Sequence, residues 1–571
     1  MHSVVKPLHS IPLDKKPVYK LPKDIKKYCR FIKKSYLCIC KLLHAFKNRK
    51  IIRYMKLPIG IQDFEKIRTG DFLYIDKTDH IYRLATEGSY YFLSRPRRFG
   101  KSLLITTLKA LFLGKRELFK GLAIDSKADW DWTPRPVLHL DLNTGKYDCI
   151  KELSDRLNLF LVTEEIKYGI EPSEISFRIR FQRIIQQAYA QTGQRVVILV
   201  DEYEKPILQS IGNPELQEAY RNMLNDFYGA LKSVDDCVKL MMITGVTKFG
   251  KVSVYNDLNN FRDISKQPKY HDICGFTEKE MLTMFDENIN DLADNNGLTR
   301  NECVAKLRQM YDGYHFDQYS QEGIYNPWSL LNTFKSREFG SYWFETGTPS
   351  YLVTLLRRHN YGLEEMATSE VTADVLNSID AESTNPIPVI YQSGYLTIKG
   401  YKERFKKYIL GFPNEEVEEG FVKYLVPFYL DNREKRSVFD VEKFSDDVES
   451  GNPEQFLTRL KSLFASAPYD SVTGDMENHF QNMMWVAFKM IGFYSHTEYH
   501  TSDGRIDLLV ETPQYRYVME FKLDGTAEEA LQQIKDKDYP LQFSLDDKKT
   551  FLVGVNFSMD TRTIDKYVIE K

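Results

Sequence analysis

The chain has 571 residues, 42% of them hydrophobic, and a formal net charge of −2 at pH 7. This length suffices for about three or four domains, and the composition is typical of a folded globular protein, which excludes a largely disordered chain. The charge is unevenly distributed, because residues 1–54 contain 15 Lys or Arg and only 2 Asp or Glu. The remaining residues are therefore acidic overall, and nucleic acid would have to bind there at local basic patches.

The sequence changes character at Met55, where the basic lead gives way to an ordinary mixed composition. We expect Met55 to be the biological start, which would make residues 1–54 a basic N-terminal extension that is not native. The alternative is a genuine basic arm that contacts nucleic acid or an anionic surface.

Cysteine spacing and hydropathy bear on the cellular compartment. The seven cysteines form no CxxC pair, which argues against a disulfide framework or a zinc site and favours the reducing cytoplasm. No apolar run reaches the roughly 18 residues that a membrane-spanning helix needs, so we expect no membrane partner.

Residues 55–275 are predicted to form an α/β domain with a parallel sheet. Apolar runs predict four strands, at 90–95, 136–143, 195–204 and 238–247. The last two runs are almost continuously apolar, as expected for parallel strands that are buried on both faces. Helices are predicted at 177–193 and 213–234.

The rest of the chain divides into three regions. Residues 276–430 are predicted to be mainly helical, with a first helix capped by Thr277 and a short β-hairpin near 395–412. Residues 431–475 are predicted to be a charged helical connector. From 476 to 571, α and β elements return in a smaller domain.

The stretch RPRRFGKS, residues 95–102, ends like a phosphate-binding P-loop. Gly100, Lys101 and Ser102 lie where a predicted strand passes into a predicted helix. A lysine for the phosphates, a hydroxyl for Mg²⁺ and a helix N-terminus would therefore meet there. Alone, this short motif is weak support for a nucleotide site.

The first half of this stretch departs from the usual P-loop. Arg95 stands where such a loop normally has its first glycine. Pro96 can fix a tight turn, and we expect Arg95, Arg97 and Arg98 to add positive charge for the nucleotide.

A second apolar strand, about 100 residues later, ends in Asp201 and Glu202. We expect Asp201 to hold Mg²⁺ and Glu202 to activate water, and the two motifs together indicate an ATP site more strongly than either alone. The alternative is a surface turn with an acidic helix-capping pair. The next strand ends with Thr244 and Thr247; Thr247 could sense the γ-phosphate, although a threonine at a strand end is as often structural.

Several segments together resemble the AAA-ATPase-like family of the Bacteroidetes type, over roughly residues 56–330 and loosely to about 400. They are IQDFEKIRTGDFLYIDKT, FLSRPRRFGKSLLI, VILVDEYEKPI, ITGVTKF, YNPWSLLN and QSGYLTIKGY. The resemblance implies an ASCE-type P-loop core that binds MgATP, in a family whose arginine-rich loop replaces the usual first glycine. It includes Asp76, Lys77 and Thr78, to which we assign no chemistry.

A second constellation lies in GRIDLLVETPQYRYVMEFKL, residues 504–523, which reads as two strands joined by a turn. Asp507 lies in the first strand, and Glu520 and Lys522 lie in the second. Alternation along a strand puts Glu520 and Lys522 on one face and Phe521 on the other. If the strands pair as a hairpin, Asp507 meets the same face.

Such a set suits phosphodiester hydrolysis. Asp507 and Glu520 would bind one or two Mg²⁺ ions, which would activate water and offset charge on the phosphate. Lys522 would orient the water or stabilise the transition state. The alternative is an ordinary surface cluster of cross-strand charges.

The pattern D–x12–E–x–K, with a helix on each side, resembles the PD-(D/E)XK nuclease superfamily over about residues 475–570. The resemblance implies a restriction-endonuclease-like α/β domain, in which Glu477 is the carboxylate of the preceding helix and Gln533 the glutamine of the following one. Glu498 is a second candidate for the upstream acid. Ile506 stands in place of the motif's proline.

The sequence therefore predicts an ATP-dependent or ATP-regulated, Mg²⁺-dependent nuclease that acts on DNA in preference to RNA. A second hypothesis is a nucleotide-switched binding module whose C-terminal domain grips nucleic acid or a protein without cleaving. A helicase or translocase ranks below both, because no helicase motif set is present. An arginine finger could come from Arg262, Arg97 or Arg98, or from a neighbouring subunit of a homo-oligomer.

Overall fold

A computed structural model describes most of the chain from Lys56 onward. The described residues are 56–210, 212–248, 261–344, 356, 362–377, 385–430, 440–466, 476–494, 498–500, 508–537 and 548–571. Within these ranges the side chains of residues 377, 466, 476–478, 481, 491, 493, 494 and 498–500 are not described. The basic segment 1–54 lies outside the described residues, so both interpretations of it stay predictions.

The first part of the chain forms a parallel α/β sheet. Its strands are β1 (Tyr90–Ser94), β2 (Val137–Asp141), β3 (Val196–Asp201), β4 (Val238–Gly245) and β5 (Arg262–Asp263). Its helices are α1 (Phe64–Thr69), α2 (Thr78–Glu87), α3 (Lys101–Phe112), α4 (Ile150–Lys167), α5 (Phe177–Thr192), α6 (Lys205–Gln209) and α7 (Pro214–Gly229). The predicted sheet is confirmed, and the short edge strand β5 adds to it.

The strands of this sheet follow the order β2–β3–β4–β1–β5, and every pair is parallel. All six residues of β3 are buried, as its continuous apolar run predicted. The strands β1 and β3 are separated by β4, which is the ASCE-type order. Because the carboxyl ends of parallel strands meet at one edge, the loop after β1 and the acids after β3 lie on the same side of the sheet.

The middle region is mainly helical, as predicted. Its helices are α8 (Glu278–Met284), α9 (Asp286–Asn295), α10 (Arg300–Tyr311), α11 (Pro327–Ser336), α12 (Leu363–Ala367), α13 (Ala373–Asn377), α14 (Ile387–Gln392) and α15 (Glu415–Tyr429). Thr277 caps α8 in a capping box with Glu280. The predicted hairpin is formed by β7 (Thr397–Lys402) and β8 (Lys407–Gly411), and β6 (Glu370–Thr372) adds a third antiparallel strand in the order β6–β8–β7.

The C-terminal part is a mixed sheet with helices. Its helices are α16 (Val441–Glu449), α17 (Pro453–Ser466), α18 (Met476–Tyr494) and α19 (Ala527–Asp536). Its strands are β9 (Glu498–His500), β10 (Leu508–Glu511), β11 (Tyr515–Leu523), β12 (Lys549–Ser558) and β13 (Thr563–Glu570). They follow the order β13–β12–β11–β10–β9, in which β11 and β12 are parallel and the other pairs antiparallel.

One hydrophobic core links these parts. It contains Phe99 in the loop after β1, Phe421 in the middle region and Phe557 in the C-terminal sheet. Within it α15 packs against α18, and the ring of Tyr429 stacks on that of His479 with 5.7 Å between centroids. No helix in the described ranges is long and apolar enough to cross a membrane. The predicted boundaries between the regions stay predictions.

Candidate functional site

The loop of residues 95–100 connects β1 to α3 at the carboxyl edge of the first sheet. Gly100 precedes α3 with a φ of 95°, a left-handed conformation that favours glycine. A Cβ added to Gly100 would meet no atom of the described residues within 4 Å, so the space above it is open. The first N–H groups of α3 have no partners within the helix and suit an anion.

Arg95 points away from this loop and into the protein interior. Its side chain is 1% exposed, and its guanidinium donates to the carbonyl of Ser265 at 2.8 Å and that of Tyr270 at 2.9 Å. Its Cζ lies 3.9 Å from the centre of the Phe316 ring, and burial lowers the pKa of Arg95 to about 10. The expectation that Arg95 adds charge for the nucleotide is therefore wrong, because backbone carbonyls receive its hydrogen bonds.

The other two arginines of the loop contact aromatic rings of the middle region. Arg97 is half-buried, its guanidinium donates to Tyr395 Oη at 3.3 Å, and its carbonyl accepts from Trp343 Nε1 at 3.0 Å. Arg98 is exposed, has a φ of 68° and lies with Cζ 4.3 Å from the centre of the Trp328 ring. Their predicted contact with the nucleotide stays a prediction.

Lys101 is the first residue of α3 and is only 4% exposed. Its Nζ donates to the carbonyls of Arg95 at 3.0 Å and Pro96 at 3.1 Å, and lies 3.1 Å from Glu202 Oε1. The ion pair between Lys101 and Glu202 joins the start of α3 to the residue that follows β3, across the intervening strand β4. The structure thus brings the two predicted halves of the site together.

Asp201 ends β3 and is 4% exposed. Its Oδ1 accepts from Thr244 Oγ1 at 2.5 Å, and the Ser102 hydroxyl is near enough to act on the pKa of this carboxylate. Burial and then the charge of Glu202 raise the pKa of Asp201, while the two hydroxyls oppose the rise. A carboxylate beside a hydroxyl offers the hard oxygen ligands that Mg²⁺ prefers, so Ser102 and Asp201 fit this ion.

Glu202 follows β3 in a strained backbone conformation. Its φ is 53°, in the left-handed region that costs a residue with a Cβ about 1–3 kcal/mol. The turn is held because Tyr203 N–H donates to the Thr244 carbonyl at 3.2 Å and Lys205 N–H donates to the Glu202 carbonyl at 3.1 Å. In this conformation Glu202 Oε1 lies 3.1 Å from Lys101 Nζ.

Sequence reasoning missed Glu204, the third acidic residue of the stretch DEYE, residues 201–204. Its side chain is fully buried, and its Oε1 accepts from the backbone N–H groups of Val246 and Thr247. Thr247 is also fully buried, and its hydroxyl has no hydrogen-bond partner among the described residues. The only signal for Glu204 was its spacing from Asp201, which an acidic surface turn would share.

The Asp76, Lys77 and Thr78 side chains make contacts within the protein. Asp76 accepts from the Thr78 N–H at 2.9 Å and from the Ala123 N–H at 2.7 Å. Lys77 Nζ lies 2.6 Å from Glu280 Oε1 and so joins α2 to α8. These contacts give the motif a structural role.

In the C-terminal sheet, β10 and β11 pair antiparallel with Leu508 opposite Met519, which confirms the predicted hairpin. Glu520 on β11 is 2% exposed, and Lys522 is half-buried. Gln533 of α19 lies between them: Lys522 Nζ donates to its Oε1, and its Nε2 donates to Glu520 Oε1. Three of the predicted residues therefore form one polar chain between strand and helix.

Asp507 is outside the described residues. The side chains of Glu477 in α18 and Glu498 in β9 are not described either, so all three roles stay predictions. Arg262 is exposed on the edge strand β5, opposite Tyr91, and its predicted role as an arginine finger also stays a prediction.

Two family models match the chain at the positions of these two sites. Residues 58–255 match the family described as predicted AAA-ATPase, and residues 475–567 match the PD-(D/E)XK nuclease superfamily. An uncharacterized protein in the vnfD 5′ region of Azotobacter chroococcum mcd 1 is 37% identical over 527 residues, which is 90% of this chain and 99% of that protein. The solved structure of the Aeropyrum pernix ORC2 protein (ADPNP–ADP complexes) is 10% identical, with a TM-score of 0.21, and covers 59% of this chain and 87% of that one.

Proposed function

The chain belongs to the AAA-ATPase-like family and carries a C-terminal domain of the PD-(D/E)XK nuclease superfamily. We therefore propose that it hydrolyses ATP at the parallel sheet β1–β5 and cleaves nucleic acid at the C-terminal sheet β9–β13. The observation that carries the proposal is the 3.1 Å contact between Lys101 and Glu202, which unites the two halves of the ATP site. The polar chain through Gln533 supports the nuclease half.

In the proposed ATPase site each residue has a separate task. Lys101 exchanges its contact with Glu202 for one with a phosphate oxygen, and the N-terminus of α3 holds the other phosphates. Ser102 and Asp201 hold Mg²⁺, which when bound offsets the charge of the transferred phosphoryl group. Glu202 orients the attacking water and accepts its proton.

In the proposed nuclease site Glu520 and Asp507 hold Mg²⁺, which when bound supplies the Lewis acid that activates water. Asp507 directly precedes Leu508 in the sequence, and Leu508 pairs with Met519, the neighbour of Glu520, which supports Asp507 as the second carboxylate. Lys522 stabilises charge on the scissile phosphate, and Gln533 holds the Lys522 ammonium and the Glu520 carboxylate in place.

We propose DNA, in preference to RNA, as the substrate, and the cytoplasm as the place of action. The cytoplasmic location is supported by four free thiols, those of Cys149, Cys237, Cys274 and Cys303. A homo-oligomer is proposed because an arginine finger of a neighbouring subunit would complete an ATP site of this kind.

The experiment is a cleavage assay on single- and double-stranded DNA with the protein that begins at Met55, with Mg²⁺ or Mn²⁺, and with and without ATP. Lys522→Ala is compared with Lys535→Ala, because Lys535 on α19 is exposed and pairs with Glu570. The expected result is metal-dependent cleavage that Lys522→Ala abolishes and Lys535→Ala keeps. ATP turnover is followed in parallel with Lys101→Ala as the inactive control.

Other outcomes of the assay would revise the proposal. Cleavage that persists in Lys522→Ala overturns the nuclease assignment. Cleavage of RNA alone corrects the substrate. ATP binding without cleavage of either nucleic acid favours the nucleotide-switched binding module.

A further inference from the structure

We propose that Glu204 is a positioning residue of the ATPase site, which holds segment 245–248 beside Asp201 and Glu202 and so places Thr247 for the reaction. This inference rests on the proposed ATPase function. The roles proposed for the loop, the magnesium ligands and the base leave Glu204 without a task, and the inference gives it one.

The first observation is where the sheet ladder stops. The register between β3 and β4 ends at Val200 and Ile243. Beyond that point the backbone N–H groups of Val246 and Thr247 donate to Glu204 Oε1, the second at 3.3 Å. The Glu204 carboxyl therefore takes the place of a longer β3 and accepts hydrogen bonds from two successive peptide N–H groups.

The second observation is the space that the carboxyl occupies. Glu204 is fully buried, and its Oε2 has no hydrogen-bond partner among the described residues. A Cβ added to Gly245 would collide with this oxygen. The carboxyl thus lies directly over Gly245, and the glycine is needed there because any side chain would displace Glu204.

The third observation concerns Thr247. Its hydroxyl is buried and has no partner among the described residues, which costs about 1–3 kcal/mol in a folded protein. An unused hydroxyl at the carboxyl edge of the sheet suits a contact with the phosphate or the attacking water.

The neighbouring contacts put Glu204 within the active site region. Burial and then the charge of Glu202 raise the pKa of Glu204 to about 8, and the charge of Lys101 opposes the rise. The hydroxyl of Thr244, three residues before Thr247, donates to Asp201 Oδ1 at 2.5 Å, so the segment that Glu204 holds begins beside the proposed magnesium ligand. On its other side the segment continues to Lys248, whose N–H donates to Gln392 Oε1 at 2.7 Å.

The test measures kcat for ATP hydrolysis and the Kd of a fluorescent ATP analogue in the full chain. The variants are Glu204→Ala, which removes the carboxyl, and Gly245→Ala, which displaces it without altering Glu204. Glu204→Gln keeps the accepting oxygen. Gly229→Ala is the matched control, because its added Cβ would lie 3.6 Å from the nearest atom, Arg178 Cδ, an ordinary contact distance.

We expect Glu204→Ala and Gly245→Ala each to lower kcat by at least about tenfold with a Kd within about threefold of the parent value. Glu204→Gln should recover most of kcat, and Gly229→Ala should behave as the parent protein. Unchanged kcat in both Glu204→Ala and Gly245→Ala overturns the proposal. So does a parallel loss of kcat, nucleotide binding and thermal stability, which indicates a role in folding alone.

The ATPase rate of the parent protein distinguishes a wrong role for Glu204 from a wrong ATPase assignment. If the parent hydrolyses ATP no faster than Lys101→Ala, the ATPase assignment itself fails. If the parent turns ATP over and both Glu204→Ala and Gly245→Ala do so equally well, only the role of Glu204 is wrong.

Discussion

Lys101 Nζ and Glu202 Oε1 lie 3.1 Å apart, and the two side chains are 3% and 17% exposed. The lysine begins a helix after β1 and the glutamate follows β3, so the pair spans the strand between them. Removing one partner of a buried ion pair leaves the other charge unpaired. Substitution of either residue should therefore also disturb the other.

Glu202→Gln should bind ATP but hydrolyse it at least about 100-fold more slowly, because an amide cannot accept the proton of the attacking water. Lys101→Ala should lose both binding and hydrolysis. Steady-state turnover and equilibrium binding of ATP measure the two effects. Glu218→Gln, at an exposed position on α7, is the control. Hydrolysis at the parent rate in Glu202→Gln would remove Glu202 from the role of base.

Restoring the usual P-loop glycine at position 95 should harm the protein. Arg95→Gly leaves the buried carbonyls of Ser265 and Tyr270 without their donor, so we expect a loss of about 3 kcal/mol in the free energy of unfolding. Arg98→Gly should change it by less than about 0.5 kcal/mol, since Arg98 is exposed and its φ of 68° suits glycine. Denaturant unfolding compares the two, and equal losses would contradict the buried role of Arg95.

The stability of the protein should depend on pH through Glu204. Its pKa is about 8 in the folded protein against the ordinary 4.5, so the folded state keeps a proton that the unfolded state releases. The parent therefore loses stability as pH rises from about 4.5 through about 8, by at most about 1.4 kcal/mol per pH unit. Glu204→Gln has no proton to lose there. The difference in Tm between Glu204→Gln and the parent should grow from pH 6 to pH 9, and a constant difference would refute this.

Gln533→Ala should lower metal-dependent cleavage by about 10–100-fold, because Gln533 holds both Glu520 and Lys522 through its amide. Gln532→Ala is the matched control, since Gln532 is exposed and its side chain donates to its helix neighbour Asp536 at 2.7 Å. The initial rate of DNA cleavage at saturating Mg²⁺ distinguishes them. Equal rates in the two variants would leave Gln533 without a role in the site.

The parts of the fold that follow from local periodicity were predictable. The apolar runs of β3 and β4 identify strands, because burial on both faces leaves a direct trace in the sequence. The meeting of Lys101 with Glu202 also follows, since parallel strands end at one edge. The capping box at Thr277 is visible in four consecutive residues.

The remaining features depend on contacts between distant residues. The direction of Arg95 is set by the carbonyls of Ser265 and Tyr270, which lie 170 and 175 residues further along the chain. Similarly, the contact of Trp343 with the Arg97 carbonyl spans 246 residues. The strand β6 has only three residues, too few to show alternation.

The shared core also decides how the protein can be divided for experiments. The buried face of α18 includes Phe480, Met483 and Val486, and α15 from the middle region covers part of it. Asn482 on the same helix accepts from the Leu363 N–H at 2.8 Å. A nuclease fragment cut at residue 476 would lose α15, expose the part of α18 that α15 covers, and invite aggregation. Subcloning should therefore keep α15 and α18 in one polypeptide.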